Sequence, residues 1–314
     1  MAKQYQYSKE EYKEMKEKEY SDLIEKLDTG IKGALDSDKY KEFLKTMSKF
    51  YKYSANNSIL IGLQKENATL VASAKNWAKQ NVRIDKEEWN NSIKIICGFD
   101  KKYNIYEKDE NGNNILDENN NPKIKETKTY TNYNVGYVYD ISQTSAKNDE
   151  KYKLKTAGKD PIAEKDKILK GLEKVTKIKI DFQKNLGGAS GVYNVKDNTI
   201  KVKQGMSDME TISTAVHESA HSMLHNLVKD KTKSREQQEF EAESVAFVVC
   251  ERLGIDSKNN NFLYLANWVG DKDLQGFKDS IKRIQNTSRI RLQELAPEEF
   301  NMDQDKNKSE DLEL

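Results

Sequence analysis

The chain has 314 residues, of which 33% are charged, and its 53 Lys and Arg against 52 Asp and Glu leave a net charge of +1. That balance excludes a protein that holds nucleic acid by bulk positive charge, so any such contact has to come from local patches. No apolar run approaches the roughly 18 residues of a membrane span, and the two cysteines, Cys97 and Cys250, form no disulfide framework.

The length predicts two domains of α+β class. The opening MAKQYQYSKEEYKE lacks the apolar stretch of a signal peptide, and a cytoplasmic protein without a membrane partner is expected. Residues 1–30 are helical in pattern and strongly charged, with Leu23, Ile24 and Leu27 as the first core candidates. Residues 39–64, KYKEFLKTMSKFYKYSANNSILIGLQ, continue the helical spacing. Between 39 and 53, five lysines meet one glutamate, interleaved with Tyr40, Phe43, Phe50, Tyr51 and Tyr53. Cations for phosphates and ring faces for unstacked bases are what single-stranded nucleic acid requires. On composition alone the plainer reading, an amphipathic helix with a lysine-rich solvent face, is preferred.

Residues 103–139 alternate strand-like runs with turn chemistry. Asn111-Gly112 is a hairpin signal, and residues 104–126 are expected to protrude. Tyr130, Tyr133, Tyr137 and Tyr139 fall in or near a strand, where packing is commoner than base stacking. Residues 142–160 are polar and without periodicity. The linker is set at 146–160, between domains of residues 1–145 and 161–296. Pro161 marks a helix start, and 162–175 reads as that helix. A strand at 177–183 and a hairpin at 192–203 with its turn at 196–198 follow. Further helices are expected at 262–268 and 274–295, and the tail 297–314 is acidic with the composition of a disordered segment.

All three histidines of the chain, His217, His221 and His225, lie in TISTAVHESAHSMLHN, residues 211–226. His217 to His221 reads H-E-x-x-H. Residues four apart sit ~40° apart around a helix and one turn along it, so two imidazoles can reach one metal ion. Glu218 lies beside them, placed to act as catalytic base on a water. The bare motif also arises by chance on polar helix faces. Here Ile212, Val216, Ala220, Met223, Leu224 and Leu227 add an apolar stripe of helical period, which puts the motif on a helix buried along one side. His225 is a poor third ligand, because eight residues along a helix separate it from His217 by ~12 Å.

Such a site needs a third protein ligand and an open fourth position. Residues 236–251, EQQEFEAESVAFVVCE, form a second helical segment that offers Glu239, Glu241 and Glu243. Glu239 and Glu243 share a face with Ala242, Ala246 and Cys250, small residues that permit close helix approach. Glu241 goes with Val245 and Val248. The Glu239/Glu243 face is preferred, with one carboxylate for the metal and the other to orient a ligand histidine.

GGASGVY (187–193), TIKVKQGMS (199–207), HESAHSMLH (217–225), EFEAESVAFVVCERLGID (239–256) and YLANW (264–268) resemble the gluzincin-type metallopeptidase domains of polyvalent proteins on mobile genetic elements. These are relatives of the ImmA/IrrE peptidases and of the antirestriction protein ArdC. The resemblance spans residues 178–295. It implies a zincin-like α+β domain, a Zn²⁺ cofactor and a protein or peptide substrate. The first glutamate of an E-x-x-A-D/E/N pattern serves as third ligand in such proteins. That implies Glu239 as ligand with Glu243 behind it, whereas thermolysin-like spacing favours Glu241. It also implies an edge strand beside the cleft, for which 199–203 is the candidate. His225 and Tyr264 are candidates for stabilising an oxyanion.

YSANN (53–57), LIGLQKENATLVASAKNWAKQNVRI (60–84), SIKIICGF (92–99) and VGYVYDISQT (135–144) resemble the N-terminal domain of ArdC-type proteins, over residues 20–145. That resemblance implies an α+β module that binds single-stranded DNA; Lys45, Lys49, Tyr51, Tyr53 and Asn57 are the candidate contacts. DKEEWNN (85–91) departs from the pattern, being acidic where relatives carry a Gly/Lys-rich turn. Together the two resemblances imply a mobile-element protein with an antirestriction or establishment role. The alternatives are a peptidase that cleaves a repressor or host defence protein without DNA, and a non-catalytic protector of single strands with a structural metal.

Overall fold

The computed structural model describes residues 8–34, 37–152, 164–225, 233–255 and 274–296. Most of the expected linker, Pro161, Leu227, the 262–268 helix with Tyr264, and the acidic tail lie outside them. The described residues are mixed helix and sheet.

Helix α1 (Lys9–Gly33) starts at Ser8, whose hydroxyl accepts from the Glu11 N–H while Glu11 returns to the Ser8 N–H. This reciprocal pair satisfies two of the donors that a helix start leaves free. α1 buries Leu23, Leu27 and Ile31, one residue per turn, and leaves its first half exposed. The apolar pattern of 39–64 divides into α2 (Ser37–Lys49) and α3 (Ala55–Gln64), because Ser54 turns extended and caps the second helix through Asn57 N–H. The short α4 (Ala74–Lys79) carries Trp77, which is fully buried and donates its indole N–H to the Tyr139 carbonyl.

The first sheet runs β1 (Val71–Ala72), β3 (Ile124–Asp140), β2 (Ile93–Tyr106), all antiparallel. β2 and β3 form a long two-stranded ribbon whose outer half is solvated. At its tip, Asp109 accepts from the Asn111 and Asn113 N–H groups and Asp117 from those of Asn119 and Asn121, which folds the expected protrusion into two small turns. β2 is the edge strand, and α3 covers part of that edge with amide side chains. Asn57 Nδ2 donates to the Ile96 carbonyl and the Ile96 N–H donates back to Asn57 Oδ1, each at 2.8 Å. Gln64 makes the same reciprocal pair with Lys94.

Helix α5 (Lys165–Thr176) leads into the second sheet, β4 (Ile180–Gln183), β6 (Thr199–Lys203), β5 (Gly191–Asn194). β6 pairs parallel with β4 and antiparallel with β5. Residues 199–203 therefore form the central strand, with β4 and β5 at the two edges. Strand order is set by tertiary pairing and is not carried by local sequence, which is why the expectation for 199–203 fails. Among the described residues, three further helices follow: α6 (Asp208–Leu224), α7 (Arg235–Leu253) and α8 (Leu274–Leu295).

A single buried cluster joins the two halves of the chain. Leu23, Tyr40 and Leu60 share it with Val216, Val245, Phe277 and Leu292. Tyr40 packs its ring 5.3 Å from that of Phe240 and hydrogen-bonds Ser244 at 2.7 Å. Gln285 donates to the Phe50 and Tyr53 carbonyls. The boundary at 146–160 thus divides the sequence but not this buried cluster. Among the described residues, no helix is long and apolar enough to cross a membrane.

Candidate metal centre

α6 is anchored at Ser207, which forms a capping box with Glu210, and it buries Ile212, Val216 and Ala220 as the stripe requires. α7 starts at Ser234 and ends on Gly254 in the left-handed conformation. Ala242, Ala246 and Cys250 are buried on α7, and these small side chains let the two helices come close.

That approach brings three ligand atoms together. His217 Nε2 lies 3.0 Å from His221 Nε2, and Glu239 Oε2 lies 3.5 Å and 3.4 Å from them respectively. A tetrahedral ion with bonds of about 2.0–2.2 Å has ligand-to-ligand edges of about 3.3–3.6 Å, so the trio fits one metal ion with little adjustment. Glu239 is half exposed while the imidazoles are largely buried. Glu243 does not join the trio; its Oε2 sits 3.2 Å from His217 Nδ1, on the far side of the ring. Burial opposes a charge on His217, but the hydrogen bonds to Glu239 and Glu243 outweigh it and raise its pKa to about 10. The same two histidines hold the Glu239 carboxyl far below the ordinary range. A metal entering this site displaces a proton.

Glu218 is buried, and its Oε2 accepts from the Tyr193 N–H at 2.7 Å. This bond runs from the outer edge of β5 to α6. Gly191 permits the approach: a Cβ there would stand 2.5 Å from Thr214 Cγ2 and 2.8 Å from Glu218 Cγ. Burial raises the Glu218 carboxyl pKa against the pull of the two histidines.

Glu241 is fully buried on another face of α7, bonded to Ser280 at 2.8 Å and to Arg283 Nε at 3.0 Å. The spacing that would have made it a metal ligand is therefore not realised. His225 closes α6 and lies between His221 and Glu241, its pKa lowered by burial. Sequence reasoning missed Arg283 and Arg291. Arg291 is fully buried and donates to the Ser219 hydroxyl and carbonyl and to the Thr287 carbonyl, behind the H-E-x-x-H turn. The available signal was its place among Ile281, Ile284, Leu292 and Leu295, an apolar stripe in which an arginine is buried.

The residues expected to contact DNA are placed less favourably. Tyr51 and Asn57 are buried, Asn57 with its amide committed to Ile96. Tyr53 donates its hydroxyl to the Val71 carbonyl. Tyr51 and Asn57 would have to leave buried positions to stack on a base or meet a phosphate, while Tyr53 is half-buried. Lys45 is paired with Glu42 at 2.7 Å, and Lys49 is half-buried. Tyr137 and Tyr139 are also committed, to Glu19 and to the Trp89 carbonyl.

No family model matches the chain. It is 26% identical over 349 residues to the uncharacterized protein pXO2-81/BXB0111/GBAA_pXO2_0111 of Bacillus anthracis; the match covers 98% of this chain, which spans 58% of that protein's length. Among solved structures, similarity extends to the antirestriction ArdC protein from the R388 plasmid. Its metal-free structure is 16% identical with a TM-score of 0.46 and covers 79% of this chain and 87% of that one. Its Mn(II)-bound structure is 17% identical with a TM-score of 0.41 and covers 79% and 86%.

Proposed function

We propose that the chain is a zinc-dependent peptidase of the gluzincin type, with His217, His221 and Glu239 holding the metal and Glu218 as catalytic base. The observation that carries this reading is the convergence of the three ligand atoms at 3.0–3.5 Å with Glu218 beside them. When bound, zinc supplies a Lewis acid that activates a water and polarises a carbonyl. Glu218 takes the proton of the attacking water and returns it to the leaving amine. Its raised pKa makes its carboxylate a stronger base than a solvated one. Glu243 fixes the His217 ring through Nδ1. The outer edge of β5 lies against α6, where the Tyr193 N–H holds the Glu218 carboxylate in place.

Metal analysis of the purified chain tests the ligand set. One zinc per chain is expected, falling to a small fraction after dialysis of Glu239→Ala against a mild chelator. Full retention by that variant, with loss from Glu241→Ala, would reverse the assignment of the third ligand.

A second reading, in keeping with an antirestriction or establishment role on a mobile element, is that the same chain holds single-stranded DNA. The resemblance of the first half supports it, and the exposed face of the β2–β3 ribbon offers the chemistry that the buried Tyr51 cannot. Phe99, Lys101 and Tyr103 alternate on one face of β2, opposite Tyr130 and Lys128 of β3, with all three rings exposed by more than 40%. Base stacking is worth about 1–3 kcal/mol per ring. Titration of the full chain with a labelled oligonucleotide should give salt-sensitive binding, weakened about tenfold or more in Tyr103→Ala/Tyr130→Ala. Absence of binding at low salt would remove DNA from the function.

A further inference from the structure

His225 is excluded as a third ligand by its distance from His217, yet it is not idle. Its side chain is 4% exposed, and both ring nitrogens have protein partners. Nδ1 lies 3.1 Å from Nδ1 of His221, and Nε2 lies 3.1 Å from Glu241 Oε2. Glu241 has no solvent exposure and is surrounded by donors: Arg283, Ser280, Gln237 and Lys233.

Proton positions along this chain of contacts follow by elimination. A carboxylate between Arg283 and Lys233 is ionised and can only accept, so the nitrogen facing it, His225 Nε2, carries a proton. A neutral imidazole protonated at Nε2 presents a lone pair at Nδ1. The 3.1 Å contact between the two Nδ1 atoms then needs a proton on His221. When Nε2 of His221 serves a metal, this Nδ1 proton is the one the ring keeps; without a metal, the Glu239 carboxylate draws a second proton to Nε2. That nitrogen is the one 3.0 Å from His217 Nε2 and 3.4 Å from Glu239 Oε2.

We propose that His225 and Glu241 are positioning residues that hold His221 in its Nδ1–H form and aim its Nε2 lone pair at the metal position. Glu243 does the same for His217 in one step, by accepting directly from Nδ1. For His221 the carboxylate is too far to reach, and the His225 ring spans the gap. The two ligand imidazoles are thus braced by two carboxylates of the same helix, Glu241 and Glu243, along separate paths. The inference rests on His221 being a metal ligand, and its test separates the two claims.

Two substitutions discriminate. His225→Leu removes the acceptor, whereas His225→Asn places an amide oxygen near the position of Nδ1. In metal-free full-length chain with ring-¹⁵N histidine, the native His221 signals should be those of a ring protonated at Nδ1. His225→Leu should return them to a mixture of tautomers, and His225→Asn should restore the native pattern. Zinc titrated against a chromogenic chelator should bind about 10–100-fold more weakly to the Leu variant, with most of the loss recovered in the Asn variant. Native His221 found without a proton on Nδ1 would overturn the proposal, whatever the zinc affinity. Equal zinc affinity in the native and Leu chains would overturn it as well. An Nδ1–H His221 in a chain that binds no zinc would sink the metal reading and leave the contact chain standing. Should His225→Leu fail to fold, the native tautomer and the Asn variant still decide.

Discussion

Glu218→Gln should lower peptide hydrolysis by on the order of 10³-fold while zinc content stays at the native level. The substitution is chosen for what it keeps. Glu218 is buried and accepts the Tyr193 N–H at 2.7 Å. A glutamine oxygen accepts the same bond, so β5 stays pinned to α6 and the metal trio one residue away is undisturbed. What is lost is basicity, since an amide cannot take a proton from water. Turnover on a fluorogenic peptide mixture and metal analysis on the same preparation separate chemistry from binding. A variant with native turnover would remove Glu218 as base. A variant that lost both activity and zinc would instead make Glu218 part of the site's framework.

The sequence was most legible where the chemistry is local. H-E-x-x-H sets two imidazoles one turn apart whatever the rest of the chain does, and the apolar stripe through Ile212, Val216 and Ala220 fixed the buried side of that helix. The choice among Glu239, Glu241 and Glu243 was legible in part. Small residues at 242, 246 and 250 identified the face that approaches α6, and the structure puts Glu239 and Glu243 there while Glu241 meets Arg283. His225 lies two turns from His217, too far to share its metal. The same four-residue spacing that pairs His217 with His221 also pairs His221 with His225. The residues proposed to contact DNA were less legible for a different reason. Composition gives the number of lysines and rings in residues 39–53 but not which faces are buried. Tyr51 and Asn57 went to the core and to a strand edge, and the exposed rings lie on a ribbon whose alternation was visible while its solvation was not.

Acid should destabilise this fold through Glu241, and replacing that residue should do the same at neutral pH. Burial alone would raise its carboxyl pKa, but the hydrogen bonds from His225 and Arg283 prevail and hold it at about 2, against an ordinary value of 4.5. The folded chain therefore binds this proton more weakly than the unfolded chain. The stability so gained is complete above pH 4.5 and is lost as pH falls through about 2, and it amounts to on the order of 3 kcal/mol. Glu241→Leu removes the charge and leaves the Arg283 and Lys233 cations, together with the His225 N–H, without their acceptor. Stranding one partner of a buried pair costs about 3–5 kcal/mol. Arg283 keeps a third of its side-chain surface in water, which places the expected loss near 3 kcal/mol. Urea unfolding at pH 7 should show that loss. Native stability should also fall between pH 4.5 and 2 by more than that of the variant, because the variant has no carboxylate at position 241 to protonate. Removing Arg283 from the variant should recover part of the loss, since the two residues share one network. A Glu241→Leu chain within about 0.5 kcal/mol of native would mean that the Arg283 and His225 donors find other partners. The buried carboxylate would then be dispensable to the fold, and its contact with His225 would have to be explained by the metal site alone.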